Sequence, residues 1–124
     1  MTARDELSET VIGLAIEVHR ELGPGLLESA YEHCLCWELE QNGLRFARQC
    51  DLPVTYKGTR LDCGYRMDLV VEGRLLLELK CVDKLLPIHD AQVLTYLRLS
   101  GLRHGLLMNF KTPVLHKGLR RLAR

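Results

Sequence analysis

Asp68, Glu78 and Lys80 are charged residues inside a stretch, residues 65–80, that is otherwise dominated by apolar side chains. Burying a carboxylate without a partner is costly, so charges in a core-like pattern need an explanation. Two carboxylates and an ammonium that meet on a pair of strands can hold a divalent cation and an activated water. The alternative is structural, a buried Glu78–Lys80 ion pair beside a solvated Asp68.

The turn between the two predicted strands decides whether these side chains meet. Side chains alternate along a strand, so Glu78 and Lys80 leave it on the same face. A two-residue Glu72-Gly73 loop would place Asp68 on the other face. A three-residue loop with Gly73 in a left-handed conformation, or a bulge, would bring Asp68 to the face of Glu78. A site at this hairpin therefore predicts a three-residue loop or a bulge near Gly73.

The predicted helices lie on both sides of this hairpin in the sequence. They cover residues 5–22, about 26–41 and about 86–100. In the first helix apolar residues recur at three- and four-residue steps, and Thr2 and Asp5 are expected to form a variant capping box. Gly23-Pro24-Gly25 ends it, because proline cannot continue the hydrogen-bond ladder. Asp83 is a candidate cap for the last helix, and Trp37 in the second is predicted to pack inside.

Between the second and third helices the apolar period changes to two, which indicates strands. The predicted strands cover about 46–57, 59–71, 74–80, 103–110 and 114–123. Pro53 marks the first as an edge strand or the site of a bulge. This order of elements predicts an α/β fold with a mixed central β-sheet flanked by helices, forming a single domain over residues 1–124.

Composition excludes few functions. The 124 residues are 47% hydrophobic and 27% charged, as in an ordinary globular protein. The net charge of +1 does not by itself predict a nucleic-acid binder, but the segment after Gly101 contains six Lys or Arg residues and no Asp or Glu. Such a segment can face phosphate or form a solvated surface. No apolar run approaches the ~20 residues of a membrane span.

The five cysteines are odd in number and form no C-x-x-C pair, and no signal peptide precedes them. This pattern predicts reduced thiols in a cytoplasmic protein, with most cysteines filling the core.

The chain resembles, over nearly its whole length, a small bacterial family named for the pattern Gly-x-x-Glu-x-x-Tyr. Here the pattern is Gly25-Leu26-Leu27-Glu28-Ser29-Ala30-Tyr31. The family looks like a compact branch of the PD-(D/E)XK nuclease superfamily, whose core spacing is matched by Asp68 and Glu78-Leu79-Lys80. Gln92-Val93-Leu94-Thr95-Tyr96 looks like the Gln-x-x-x-Tyr motif of the exonuclease branch. Met67 stands where the superfamily has a proline that is often missing.

The resemblance implies a restriction-endonuclease-like fold and a metal site. Asp68, Glu78 and the backbone carbonyl of Leu79 would bind Mg²⁺ or Mn²⁺ through oxygen ligands. Glu28 would be a further ligand from the second helix, directly or through water. Taken alone, Glu28 also fits the positive end of the helix dipole without any role in a site.

The resemblance also implies roles for the remaining motif residues. Lys80 would orient or help to deprotonate the nucleophile and offset developing negative charge. Gln92 and Tyr96 would position the substrate phosphate or the waters of the metal.

The expected function is metal-dependent hydrolysis of nucleic-acid phosphodiester bonds, with DNA favoured over RNA and end-directed cutting suggested by analogy. A second hypothesis is a non-catalytic nucleic-acid-binding or regulatory module that keeps the nuclease fold. A third is hydrolysis of a small nucleotide substrate by the same chemistry. A homodimer would extend the short binding surface.

Overall fold

The computed structural model describes residues 5–124, so the candidate capping residue Thr2 lies outside the described part of the chain. The helices are α1 (Glu6–Leu22), α2 (Glu28–Gln41) and α3 (Pro87–Ser100), and a short 3₁₀ helix covers Leu115–Gly118. The strands are β1 (Phe46–Asp51), β2 (Val54–Tyr56), β3 (Thr59–Leu61), β4 (Arg66–Val71), β5 (Leu75–Lys80), β6 (His104–Asn109) and β7 (Leu119–Ala123).

The main sheet has five strands in the order β1-β4-β5-β6-β7. β5 and β6 are parallel and are connected through α3, whereas the other neighbours are antiparallel. Parallel neighbours need a crossover connection of this kind. The prediction of a mixed central sheet flanked by helices is confirmed.

The helices cover the two faces of the sheet with two separate cores. One core joins α1 and α2 to the sheet and includes Val11, Leu35, Leu77, Met108 and Phe110. The other joins α3 to the opposite face and includes Leu76, Val93, Leu97 and Leu107. Alternate residues of β5 therefore enter different cores, as the strand period of two requires.

Of the residues predicted to cap helices, Asp5 caps the start of α1, whereas Asp83 does not cap α3. The Asp5 carboxylate accepts a hydrogen bond from the Ser8 N–H at 2.7 Å, so Asp5 is itself the N-cap of α1 rather than the third helical residue of a box that begins at Thr2. Asp83 does not cap α3, because Leu86 occupies the capping position. The Asp83 carboxylate instead accepts from the Lys111 ammonium at 2.5 Å.

Two of the predicted strands are each divided in two. The strand expected over 46–57 breaks at Leu52-Pro53, where the Leu52 N–H donates to the Tyr65 carbonyl at 2.9 Å. The next predicted strand breaks at residues 62–65, where the Asp62 carboxylate accepts from the Gly64 N–H at 3.0 Å. As a result β2 and β3 form a small hairpin outside the main sheet, and β1 is the edge strand that Pro53 suggested.

The remaining predictions on packing have mixed outcomes. Trp37 is 59% exposed, so the prediction that it packs inside is wrong. The strand expected over 114–123 is shorter, because the 3₁₀ helix precedes β7. Cys36 is buried, Cys63 is exposed, and all five cysteines are free. Within residues 5–124 no helix combines the length and the apolar character needed to cross a membrane.

Candidate active site

The β4–β5 hairpin has the loop that the site requires. It turns through the three residues Glu72-Gly73-Arg74, and Gly73 has the left-handed φ of +67°. The paired residues on either side are Val71 with Leu75, Val70 with Leu76 and Leu69 with Leu77. Continuing this register by one residue places Asp68 opposite Glu78, so both carboxylates leave the hairpin on the same face. The predicted loop is confirmed.

At Asp68 and Glu78 the regular backbone pairing of β4 and β5 gives way to side-chain hydrogen bonds. The Asp68 N–H donates to Glu78 Oε2 at 2.8 Å, and the Leu79 N–H donates to Asp68 Oδ2 at 2.9 Å. Each carboxylate therefore binds the backbone of the opposite strand. This exchange fixes both side chains at the point where the strands separate.

Burial and neighbouring carboxylates disfavour the ionised forms of the carboxylates at this end of the hairpin. Glu78 is 2% exposed, and burial, followed by the nearby Asp68 carboxylate, raises its pKa to about 8. Burial also raises the pKa of half-buried Asp68. The Lys80 ammonium lowers both pKa values without cancelling these effects.

The structure differs from the alternative of a buried Glu78–Lys80 ion pair beside a solvated Asp68. Within the described residues Lys80 forms no ion pair with Glu78, and Asp68 is half-buried and hydrogen-bonded rather than solvated. A buried Glu78–Lys80 pair therefore does not account for the cluster.

Glu28 reaches the cluster from the first residue of α2. The preceding turn is held by Tyr31, whose hydroxyl donates to the Gly23 carbonyl at 2.5 Å and accepts from the Leu26 N–H at 3.1 Å. The ring of Tyr31 is fully buried and stacks on Phe110 with 4.5 Å between centroids. Glu28 is exposed, but desolvation and then the Asp68 carboxylate raise its pKa. Glu28 thus lies both at a helix N-terminus and within electrostatic reach of Asp68.

Gln92 and Tyr96 approach from α3. Their side chains project together, as their spacing predicts, and Gln92 Nε2 donates to Tyr96 Oη at 3.2 Å. Burial raises the pKa of the Tyr96 hydroxyl, with further contributions in the same direction from Glu78 and Asp68. Leu79 contributes only its backbone to this region, because its side chain is buried beneath α1 and α2. The predicted site residues of the hairpin thus lie at one end of it, and Tyr96, to which Gln92 is hydrogen-bonded, lies within electrostatic reach of Glu78 and Asp68.

The donor set suits a hard divalent cation in its chemistry, although the side chains are not arranged as ligands. Within residues 5–124, no three His, Cys, Asp or Glu side chains converge closely enough to hold an ion as they stand. The oxygen donors of Asp68, Glu78 and Glu28 are nevertheless the type that Mg²⁺ and Mn²⁺ prefer. All three have raised pKa values, and a cation would remove the repulsion that contributes to them. Of the three, Glu28 is exposed, at the first residue of α2.

A further carboxylate, Glu32, was not predicted as part of the site. It is 6% exposed and accepts from Arg48 Nε at 3.0 Å and from Gln49 Nε2 at 2.9 Å. Gln49 has a left-handed φ of +49°, at the position where the β1–β4 pairing skips the residue opposite Asp68. A hydrogen bond from Gln49 lowers the pKa of Asp68. The available signal was the position of Glu32, one helical turn after Glu28 on the same side of α2.

The fold and this carboxylate cluster define a nuclease-like α/β protein. A model of the PD-(D/E)XK nuclease superfamily matches residues 5–122, and the chain belongs to that superfamily. Nucleases of this superfamily generally use divalent metals. No curated protein and no solved structure matches the chain significantly.

Proposed function

We propose that this protein is a metal-dependent nuclease that hydrolyses nucleic-acid phosphodiester bonds by attack of water. The observation that carries the proposal is the pair of hydrogen bonds by which the Asp68 and Glu78 carboxylates each bind the backbone of the opposite strand, on the core motif of a nuclease superfamily. It holds two carboxylates together in a buried position where both pKa values are raised. Such an arrangement is unfavourable for two ionised carboxylates unless a cation offsets their charge.

Asp68, Glu78 and the Leu79 carbonyl would hold Mg²⁺ or Mn²⁺, with Glu28 as a further ligand. The bound ion would lower the pKa of a water and stabilise charge on the phosphate. Asp68 and Glu78 are fixed in place by the Leu79 and Asp68 backbone N–H groups, so little reorganisation is needed on their side.

Lys80 is half-buried on the strand face of Glu78 and would orient the attacking water and offset negative charge on the phosphate. Gln92 and Tyr96, already hydrogen-bonded to each other, would position the phosphate from the α3 side. Tyr96 would act as a neutral donor, because its raised pKa keeps the hydroxyl protonated.

The basic segment after Gly101 gives less support to nucleic-acid binding than its composition suggests. Ion pairs join Arg120 to Asp90, Arg121 to Glu9 and Lys111 to Asp83. This neutralisation favours, as a second candidate, hydrolysis of a small nucleotide by the same site. We retain DNA as the favoured substrate, by analogy with the superfamily.

Two further parts of the proposal concern location and assembly. We propose a cytoplasmic location, which the five free cysteines support. A homodimer would extend the binding surface of a 124-residue chain.

Cleavage of a labelled substrate panel tests the function. The panel contains single- and double-stranded DNA, RNA, linear and circular forms, each in Mg²⁺, Mn²⁺ and EDTA. We expect cutting that requires metal and that Asp68→Ala and Lys80→Ala reduce to the level in EDTA. Matched controls are Asp51→Asn and Lys84→Ala, which change exposed residues that are not predicted site residues and should leave cutting intact. Undiminished cutting by purified Asp68→Ala would refute the assignment.

A further inference from the structure

A groove lies between the β2–β3 hairpin and α3. Its cavity volume is about 510 Å³, within the range of about 300–1,000 Å³ that small-molecule ligands occupy. The residues that line it include Thr55, Tyr65, Gln92, Thr95, Tyr96 and Arg98. The groove exists because the chain breaks at Leu52-Pro53 and at residues 62–65, which directs the small hairpin away from the main sheet.

The groove adjoins the candidate active site. Gln92 and Tyr96 line it, and both are among the predicted site residues. Buried Tyr96 packs in the same core as Leu76, whose side chain leaves β5 on the face of Glu78. A group bound in the groove would therefore be next to a phosphate bound at the cluster.

Tyr65 gives the groove an accessible aromatic surface. Its side chain is 49% exposed, and its ring lies 6.3 Å from the ring of buried Tyr96 at an interplanar angle of 58°. Exposed aromatic rings in this setting stack on unpaired bases, with little preference for sequence. The hydroxyls of Thr55 and Thr95 add hydrogen-bonding groups at the wall.

The charge around the groove is positive and unpaired. Within the described residues, Arg98 of the groove wall and Arg60, which pairs with Thr55 of that wall, make no ion pair with a carboxylate. In contrast, Arg120 and Arg121 of the C-terminal segment are ion-paired. The free positive charge thus lies beside the aromatic surface, as a strand with bases and phosphates requires.

We propose that this groove binds an unpaired base of a single-stranded nucleic acid, by stacking on Tyr65, with Arg98 contacting an adjacent phosphate. The proposal rests on the proposed function for the position of the reacting phosphate. A paired base would first have to leave its stack, at a cost of a few kcal/mol. Single strands and frayed ends are therefore the substrate class that the groove selects.

Binding of labelled single strands in EDTA tests the groove separately from cleavage. The probes are a single-stranded DNA, an abasic strand of equal length and the corresponding duplex, followed by fluorescence anisotropy. We expect Tyr65→Ala to weaken binding of the base-containing strand by about 5- to 150-fold, as loss of one base–aromatic stack does. Binding of the abasic strand should change little. Tyr65→Phe, which keeps the ring, should bind as the wild type does.

Tyr56→Ala is the matched control, because Tyr56 is an exposed tyrosine of the same hairpin, at 59%, that does not line the groove. Three results would overturn the proposal: no change in Tyr65→Ala, equal losses in Tyr65→Ala and Tyr56→Ala, or no preference of the wild type for single strands over duplex. If Tyr65-dependent binding is found but the wild type cuts nothing, the groove stands and the nuclease function fails. If the wild type cuts in a metal-dependent way and Tyr65→Ala changes neither cutting nor binding, the groove proposal is wrong and the nuclease function is supported.

Discussion

The two ends of the β4–β5 hairpin differ sharply, although the same two strands form both. Next to the loop, the paired residues are Val and Leu, the backbone ladder is regular, and Leu75 and Leu77 are almost fully buried. At the other end Asp68 and Glu78 replace the ladder with side-chain bonds to the backbone of the opposite strand. The regular ladder ends at the Leu69–Leu77 pair, and the side-chain bonds begin at the next pair.

This difference shows how a small domain builds a charged site without losing its fold. The apolar end lies between two cores and fixes the register of the strands. That register then determines that the carboxylates emerge opposite each other. The stability of the apolar end therefore offsets the cost of holding charges in a buried position at the other end.

The largest expected effect on stability is at the apolar end. Leu77→Ala should lower the free energy of unfolding by about 2–5 kcal/mol, because it leaves a cavity among fully buried side chains. Urea unfolding at a pH near neutral measures it. Leu27→Ala is the control, since Leu27 is 78% exposed, and its effect should stay within about 0.5 kcal/mol. Per folded molecule, Leu77→Ala should cut DNA at the wild-type rate. A lower rate per folded molecule would show that the apolar end of the hairpin also affects the charged end.

At the charged end we expect a substitution that stabilises the protein and removes its activity. In the metal-free protein the pKa of Glu78 is about 8, against 4.5 for an unperturbed glutamate, so the carboxyl keeps its proton up to about pH 8. The folded state thus binds the proton more tightly, and the stability that this group contributes falls as the pH rises from 4.5 to about 8.

Glu78→Gln should remove this loss of stability at rising pH, because glutamine does not ionise. At pH 8 in EDTA the variant should be more stable than the wild type by ~2–4 kcal/mol. At pH 5 the two should be similar. Urea unfolding at both pH values checks this, and an equal pH dependence of the two proteins would contradict a buried, protonated Glu78.

A smaller effect is expected where α2 supports the charged end. Glu32→Gln should lower stability by about 1–2 kcal/mol, since it weakens charge-assisted hydrogen bonds to partly exposed Arg48 and to Gln49. It should also slow cutting, because Gln49 bonds to Asp68. Glu40→Gln, on the exposed side of the same helix, is the control. Thermal unfolding and cutting rates equal to those of this control would argue against a supporting role for Glu32.

The smallest effect is expected in the loop. Gly73→Ala should cost about 1 kcal/mol, because an L side chain is disfavoured at the φ of +67° even though a Cβ would contact nothing within 4 Å. Gly13→Ala in α1 should have the opposite sign, since alanine favours a helix. The strand register and the cutting activity of Gly73→Ala should be those of the wild type. An unchanged melting temperature in Gly73→Ala would show that the loop does not need its left-handed glycine.

The sequence was sufficient for the elements whose signals are local. The periodicity of α1, the Gly101 end of α3 and the even register of the hairpin follow from residue types within a few positions. It was not sufficient for the break after Asp51. The alternation of apolar residues continues through Pro53, and only the tertiary hydrogen bond from Leu52 to Tyr65 shows where the chain leaves the sheet.

The candidate site divides in the same way. Asp68, Glu78 and Lys80 were visible as charges in an apolar strand pattern, whereas Glu28, Gln92 and Tyr96 were identified through the family resemblance. Glu32 looked like an ordinary polar residue of α2, because its partners Arg48 and Gln49 come from β1. Likewise, the groove at Tyr65 depends on where the β2–β3 hairpin lies against α3, which local pattern does not encode.

Calorimetric titration with Mn²⁺, at a pH above 8 so that Glu78 is ionised, tests most directly whether the charged end of the hairpin is a cation site. The samples are the wild type, Asp68→Asn and the control Asp51→Asn, whose residue lies exposed on β1. We predict a binding event in the wild type and in Asp51→Asn that is lost in Asp68→Asn. Equal binding by wild type and Asp68→Asn, or none by the folded wild type, would contradict the metal site.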